Sequence, residues 1–321
     1  MNKKTSEQYE HLYHYTTWEG CQGILTSQSL WATHYKFLND YSEFMLFRDR
    51  LVSLMIPEWE ARYQKLLSGR PDFLADINRL GGVSLVAKYD AEVHVDTMYK
   101  VIGHEVYIAS FCGEHEKDNQ INSNGLLSQW RAYGDDGGVA LVFGTKELED
   151  LFSLECEKYQ YDVGHLADVV YSDNDEGMKN EFAEDLVELG KYIGKTESTD
   201  SPGDGYSAFV SCASRYKHFG FSEEREVRAV MVPTLVTEEL ESQAKKSSIA
   251  LLPEKDRKFR ETRGISIPYI SLFDSPDMVL PIKKIIVGPH PLKEKRAASL
   301  CVMLRNSEIE IICSEIPFVG R

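Results

Sequence analysis

Leu12-Tyr13-His14-Tyr15-Thr16-Thr17-Trp18 is the stretch from which the fold is read. Aromatic and β-branched residues dominate it up to Thr17, which is strand composition. The Thr17 hydroxyl can then cap a helix beginning at Trp18, with Trp18, Cys21, Ile24 and Leu25 on one face. Leu30-Trp31-Ala32-Thr33 predicts a second short strand. Asn39-Asp40 is a turn signal, and Ser42-Glu43 starts a helix through about Met55. Pro57 is expected to interrupt that helix and open the next, whose apolar stripe is Trp59, Tyr63, Leu66 and Leu67. A further helix carrying Phe73, Leu74, Ile77 and Leu80 ends near Gly81-Gly82. The block at about 45–100 therefore reads as a helical insertion between strands.

Further along, Val106 to Phe111 reads as a strand, and the polar stretch Gly113 to Gly125 as a loop. Gln129-Trp130-Arg131-Ala132-Tyr133 leads through a Gly-rich turn into Val139-Ala140-Leu141-Val142-Phe143, a buried strand. Thr145 is positioned to cap a helix with Leu148, Leu151 and Phe152. Tyr161 to Tyr171 predicts a strand and turn, and Phe182, Leu186, Leu189 and Ile193 mark an amphipathic helix. Thr196 to Tyr206 reads as a loop. Strands are expected at Glu226 to Val232, Gly264 to Pro268, Ile282 to Val287 and Glu308 to Cys313. No internal repeat and no linker is visible. The expected architecture is α+β: a single mixed or antiparallel β-sheet core with inserted helices, in one α/β domain over 1–321.

With 321 residues, 42% hydrophobic and 27% charged, the chain has globular rather than disordered composition. No run of about eighteen apolar residues suggests a membrane span, and Met1 to Glu7 is too polar for a secretory signal, so a cytoplasmic location is expected. The net charge of −15 disfavours a broad basic surface gripping duplex phosphates. Lys245-Lys246 and Lys255-Asp256-Arg257-Lys258 are local basic patches that read as solvated faces. The six cysteines form no C-x-x-C pair and no His lies at zinc spacing, so free thiols and no metal site are expected.

Four places could carry chemistry. His14 stands among Tyr13, Tyr15 and Trp18, whose flat rings suit a planar ligand; the plainer reading is a packed strand histidine. Asn39-Asp40-Tyr41-Ser42-Glu43 is either a helix cap or a binding loop, and the two are compatible. Trp130 and Tyr133 precede a Gly-Gly pair that permits close backbone approach, or they plug the core. In Phe221-Ser222-Glu223-Glu224-Arg225-Glu226-Val227-Arg228, alternation would set Glu224, Glu226 and Arg228 in one row on a strand face. That row lines a cleft or forms cross-strand ion pairs at an edge. Neither G-x-G-x-x-G, a phosphate-binding G-x-x-x-x-G-K-[ST], nor a G-x-S-x-G elbow occurs.

In their order along the chain, Leu12-Tyr13-His14-Tyr15-Thr16, Ile24-Leu25, Leu30-Trp31-Ala32-Thr33, Asn39-Asp40, Glu43-Phe44, Ser110-Phe111, Trp130 with Tyr133, Gly138-Val139, Phe221 with Glu224, Glu226-Val227-Arg228 and Ile286-Val287-Gly288-Pro289 resemble the family called domain of unknown function 2971. The order of a His-bearing strand, a helix, an aromatic-bearing strand and a late Glu-x-Glu strand is also similar to the ADP-ribosyltransferase superfamily. That resemblance implies an ADP-ribosyltransferase-like fold and NAD as substrate. It sets His14 first, with Tyr15 and Thr16 beside it, and Glu226 or Glu224 last. The middle position falls to Trp31, Thr33 or Tyr41, and the ring stacking on nicotinamide to Trp31, Tyr41 or Tyr133. Asn39, Asp40, Trp130 and Arg228 complete the implied NAD contacts, with Glu226 and Glu224 catalytic.

Leaving nicotinamide builds positive charge on an oxocarbenium-like sugar, which a fixed carboxylate stabilises. The expected function is an NAD-dependent ADP-ribosyltransferase, a bacterial toxin or phage-defence effector acting on nucleic acid or protein, with an antitoxin or partner protein. The rivals are a non-enzymatic ligand- or partner-binding module and a metal-dependent nuclease using Asp40, Glu43, Glu224 and Glu226.

Overall fold

The computed structural model of the protein describes residues 4–38, 41–102, 105–115, 118–133, 137–194 and 202–317. In chain order the first elements are β1 (His11–Thr16), α1 (Trp18–Ser27), β2 (Leu30–His34), α2 (Tyr41–Leu67), α3 (Pro71–Arg79), α4 (Val83–Ile102) and β3 (Tyr107–Gly113). Then come α5 (Asn119–Asn124), α6 (Leu127–Tyr133), β4 (Val139–Gly144), α7 (Thr145–Lys158), β5 (Tyr161–Asp168), β6 (Val170–Ser172), α8 (Asp175–Glu181), α9 (Ala183–Gly194) and α10 (Pro202–Arg215). The last are β7 (Tyr216–His218), β8 (Glu226–Pro233), α11 (Glu238–Lys246), β9 (Arg257–Thr262), β10 (Ile265–Leu272), β11 (Ile282–Val287), α12 (Lys293–Met303) and β12 (Glu310–Cys313). The protein is thus mixed α+β, and its main sheet is mostly antiparallel. No helix among the described residues is long and apolar enough to cross a membrane.

The chain divides into two compact units, one of Met1–His34, Tyr107–Val169 and Phe221–Arg321, the other of Tyr35–Val106 and Val170–Gly220. In the first, the strands run β12-β11-β4-β1-β3-β2-β10-β9, and β8 joins β3 while carrying β5 on its other edge. Among the described residues of that sheet, only β11 and β12 pair in parallel. Alternation gives each strand two faces. Leu12, Phe111, Leu141, Phe143, Val227, Ala229, Met231 and Ile285 share one face, covered by Cys21, Ile24 and Leu25 of α1 and by Leu148, Leu151 and Phe152 of α7. Each Leu or Phe fully buried there contributes roughly 1.5–3 kcal/mol. Tyr13, Tyr15, Ala140, Val142 and Ile286 point the other way, onto Leu126 and Trp130.

The second unit is built on α2 and α4. Phe44, Phe47, Leu51 and Met55 are buried on α2, and Ala87, Ala91, Val95 and Met98 on α4. Phe47 touches the rings of Phe182, Phe209 and Tyr216, with centroids 6.3, 6.2 and 5.8 Å away. Contrary to expectation, Pro57 lies inside one continuous helix, α2. Packing along the α4 stripe outweighs the one lost backbone bond.

Three further expectations are corrected. Residues 113–125 are not loop throughout, because Asp118 Oδ1 accepts from Gln120 N and Ile121 N and starts α5. Thr145 is the first residue of α7 rather than its cap, since Gly144 holds the cap position without a side-chain bond. Of the 196–206 loop, residues 202–206 belong to α10. By contrast, Thr17 caps α1, its Oγ1 accepting from Gly20 N at 3.0 Å. All six cysteines are free.

Of the basic patch at 255–258, Asp256 is exposed and Lys258 half-exposed, but Lys255 is not solvated. Lys255 is 1% exposed. Its Nζ donates to Glu155 Oε1 at 2.7 Å and Asp274 Oδ1 at 2.8 Å. Tyr161 Oη donates to Glu155 Oε1 at 2.7 Å and Phe273 N to Oε2 at 2.9 Å, so the buried carboxylate is fully satisfied. Burial pushes the Asp274 carboxyl up, but bonds and charge from Lys255 and Lys258 outweigh it, and its pKa lies below the ordinary value. A depressed carboxyl adds stability above its unfolded pKa and loses it as pH falls through the folded one. Urea unfolding should therefore show wild type losing stability relative to Asp274→Asn as pH falls below about 4. Parallel pH curves for the two proteins would refute the ion pair's contribution.

Candidate functional site

The sheet forks at β3. One edge of β3 is paired along Tyr107 to Cys112 by β8, Met231 to Glu226. Its other edge is shared, with Leu12 and Tyr13 of β1 opposite Gly113 and Cys112, and Thr33 and His34 of β2 opposite Ile108 and Tyr107. Among the described residues no strand partner takes Ala109 to Phe111 on that edge.

His14 is the first β1 residue past the split. Its Nδ1 lies 2.9 Å from the Ser110 carbonyl, standing in for the backbone donor a neighbouring strand would have supplied. With that carbonyl as acceptor, Nδ1 carries the proton and Nε2 the lone pair. The ring packs at 5.6 Å from Phe111 and is closely enclosed, yet part of it stays accessible to water. Burial lowers the His14 pKa, only partly offset by the Ser110 bond, so the neutral ring is favoured. Among the described residues nothing hydrogen-bonds Nε2. The neighbouring Thr16 is tightly packed, since a Cβ at Gly20 would come 2.2 Å from its Oγ1.

Glu226 and Arg228 stand on β8 opposite Cys112 and Ser110. Arg228 Nε donates to Glu226 Oε1 at 2.7 Å and Nη2 to Oε2 at 3.0 Å, a bidentate pair at 6% and 2% exposure. The expected Glu224–Glu226–Arg228 row is not formed. Glu224 closes a 3-10 turn, Phe219–Glu224, and Arg225 adopts φ +46 before the strand starts at Glu226. That left-handed residue breaks the alternation which would have aligned Glu224.

Register also separates His14 from the acidic pair. Tyr13, Cys112 and Glu226 share one face, whereas His14 pairs with Leu141 on the other. The two meet at Ser110, whose carbonyl holds His14 and whose cross-strand partner is Arg228.

Trp31 and Thr33 lie on β2, on the Glu226 face. Trp31 is 44% exposed and stacks on Tyr269 of β10 at 4.5 Å and 34°. Thr33 is buried and accepts from Arg260 Nη2 at 3.2 Å. Tyr15 and Trp130 are core residues, edge to face at 4.9 Å, with Tyr15 Oη accepting from Leu126 N and Trp130 Nε1 donating to Asn124 O. A Cβ at Gly125, φ +76, would come 2.4 Å from the Trp130 ring, so that close approach needs glycine. Tyr133 ends α6 on the surface. Asn39 and Asp40 lie outside the described residues, and Tyr41 opens α2.

Two groups escape a reading of the sequence. Arg260 sits in a charge-rich stretch that reads as surface, and Tyr269 follows Pro268, where strand signals weaken. The turn Arg263-Gly264, with φ +51 and +77, is the signal that could have found them, since paired positive φ values mark a two-residue hairpin.

Fold and fork define a mixed α+β protein with an imidazole and a carboxylate–guanidinium pair tied to opposite faces of the sheet at one strand, β3. Residues 129–229 are similar to a family described as "Protein of unknown function (DUF2971)", a match spanning Trp130, Tyr133, Glu224, Glu226 and Arg228. No curated protein and no solved structure matches the chain.

Proposed function

We propose that the protein is an NAD-dependent ADP-ribosyltransferase that modifies a nucleic acid or a protein. The observation that carries this reading is the junction at Ser110, where an imidazole with an open Nε2 and a strand bearing a fixed carboxylate are tied to one residue. His14 and Glu226 lie on opposite faces of the sheet, on strands two cross-strand spacings of about 4.8 Å apart, so one dinucleotide reaches both only through the gap left beside Ala109 to Phe111. The fork between β1 and β2 is the place where one ligand touches both.

In this reading the neutral His14 accepts a hydrogen bond from a ribose hydroxyl through Nε2. Glu226 stands beside the nicotinamide-bearing ribose. Arg228 orients that carboxylate through its two-point contact. The bond from C1′ to the nicotinamide nitrogen breaks, with its electron pair leaving on nicotinamide. Positive charge then grows on the sugar beside Glu226. The acceptor atom bonds to C1′ while its proton passes to water, and in this reading Glu224, off the strand, orients the acceptor. The superfamily-like fold, the effector role and an antitoxin partner belong to this same reading.

Incubation with adenylate-labelled NAD and cell lysate tests it. Label should enter a macromolecule as nicotinamide is released, and His14→Ala should raise KM for NAD about tenfold through loss of one hydrogen bond. No label and no nicotinamide would end the proposal. The completeness of the Glu226–Arg228 pair favours one rival, a binding module, which predicts stabilisation by NAD without turnover.

A further inference from the structure

We infer that Arg260, Trp31 and Tyr269 form a binding subsite for a nucleoside phosphate, the phosphate against the guanidinium and the base against the Trp31 ring. Arg260 lies on the edge strand β9 and reaches across β10 to β2. Its Cζ sits 5.3 Å from the Trp31 ring centroid, and its Nη2 donates to Thr33 Oγ1 at 3.2 Å. Among the described residues no carboxylate pairs with it. That is unexpected in a chain with 51 acidic and 36 basic residues.

Arg260 is also incompletely satisfied. Its Nε is buried with no acceptor, while Nη1 stays open to solvent without a protein partner among the described residues. Withdrawing a guanidinium from water without compensation is costly, and burial lowers its pKa accordingly. An anion at the open Nη edge supplies the missing charge, and a planar fork suits phosphate oxygens. Lys258, opposite Tyr269 on the same face, adds a second cation, though Asp274 holds it at 3.2 Å.

The rings supply the rest. Trp31 is largely exposed on the sheet, and its tilted contact with Tyr269 makes a platform rather than a core plug. An exposed indole beside an unpaired guanidinium matches a ligand that joins a flat heterocycle to a phosphate. A purely structural stack would need neither the exposure nor the missing carboxylate.

Calorimetric titration of the full chain with ADP, adenosine and inorganic phosphate tests the inference. ADP should bind wild type. Arg260→Gln should weaken ADP at least tenfold while leaving adenosine unchanged, and Trp31→Ala should weaken both. In the wild-type protein the Trp31 indole signal, assigned by Trp31→Phe, should shift on adding ADP, a readout independent of whether variants fold. No ADP binding, unchanged ADP affinity in Arg260→Gln, or an unmoved Trp31 signal would overturn the site. The inference does not require NAD cleavage: ADP binding here without nicotinamide release from NAD supports the subsite and removes the transferase reading.

Discussion

Glu226→Gln should reduce nicotinamide release from NAD by a factor of about 10²–10³, the usual loss when one preorganised electrostatic group is removed from a transition state. The substitution keeps the shape of the side chain and deletes its charge, so an oxocarbenium-like sugar loses its counter-ion. It also leaves Arg228, 2% exposed, with a neutral partner. Breaking a buried pair from one side costs on the order of 3–5 kcal/mol. Stability should therefore fall together with activity. The charge-neutral double variant Glu226→Gln/Arg228→Met separates the two effects. It should regain most of the stability in urea unfolding while nicotinamide release stays abolished. Full turnover by Glu226→Gln would remove Glu226 from the chemistry, and a double variant with restored turnover would do the same.

Lys255→Ala should destabilise the protein by about 3–5 kcal/mol. Lys255 and Glu155 are buried together, and the carboxylate left behind would keep Tyr161 Oη and Phe273 N but lose its counter-charge. The Lys255 ammonium also lies 3.8 Å from the Tyr159 ring centroid, and the substitution removes this cation–π attraction as well. The network joins α7 to the segments flanking β9 and β10, so its loss should loosen the strands that carry Arg260 and Tyr269. Replacing both members, Glu155→Gln with Lys255→Met, should recover much of the loss, because an apolar or neutral pair of similar volume is tolerated where a lone charge is not. A Lys255→Ala protein within about 1 kcal/mol of wild type by urea unfolding would show that the pair is not structural.

Local signals in the sequence are legible where the structure is local. The strand–helix–strand opening from His11 to His34 follows from aromatic and β-branched runs and from the Thr17 cap. The β4 run from Val139 to Phe143 is apolar because both its faces are covered. What the sequence does not disclose is long-range. Arg257 to Thr262 is rich in charge because it is an exposed edge strand, so its basic residues read as a solvated face rather than as a strand. Lys255 reads as solvated because its partner Glu155 belongs to a distant helix. Alternation correctly puts Glu226 and Arg228 on one face. It cannot show that Arg225 turns left-handed and detaches Glu224, nor that register sends His14 to the opposite face of the sheet from Glu226. Pairing partners decide such relations, and they are not written in either strand alone.

A crystal structure with a non-hydrolysable NAD analogue decides whether one dinucleotide occupies the fork beside Ser110. A ribose hydroxyl is expected on His14 Nε2, with the nicotinamide-bearing sugar against the Glu226 carboxylate. An analogue bound elsewhere, with His14 and Glu226 both untouched, would contradict it.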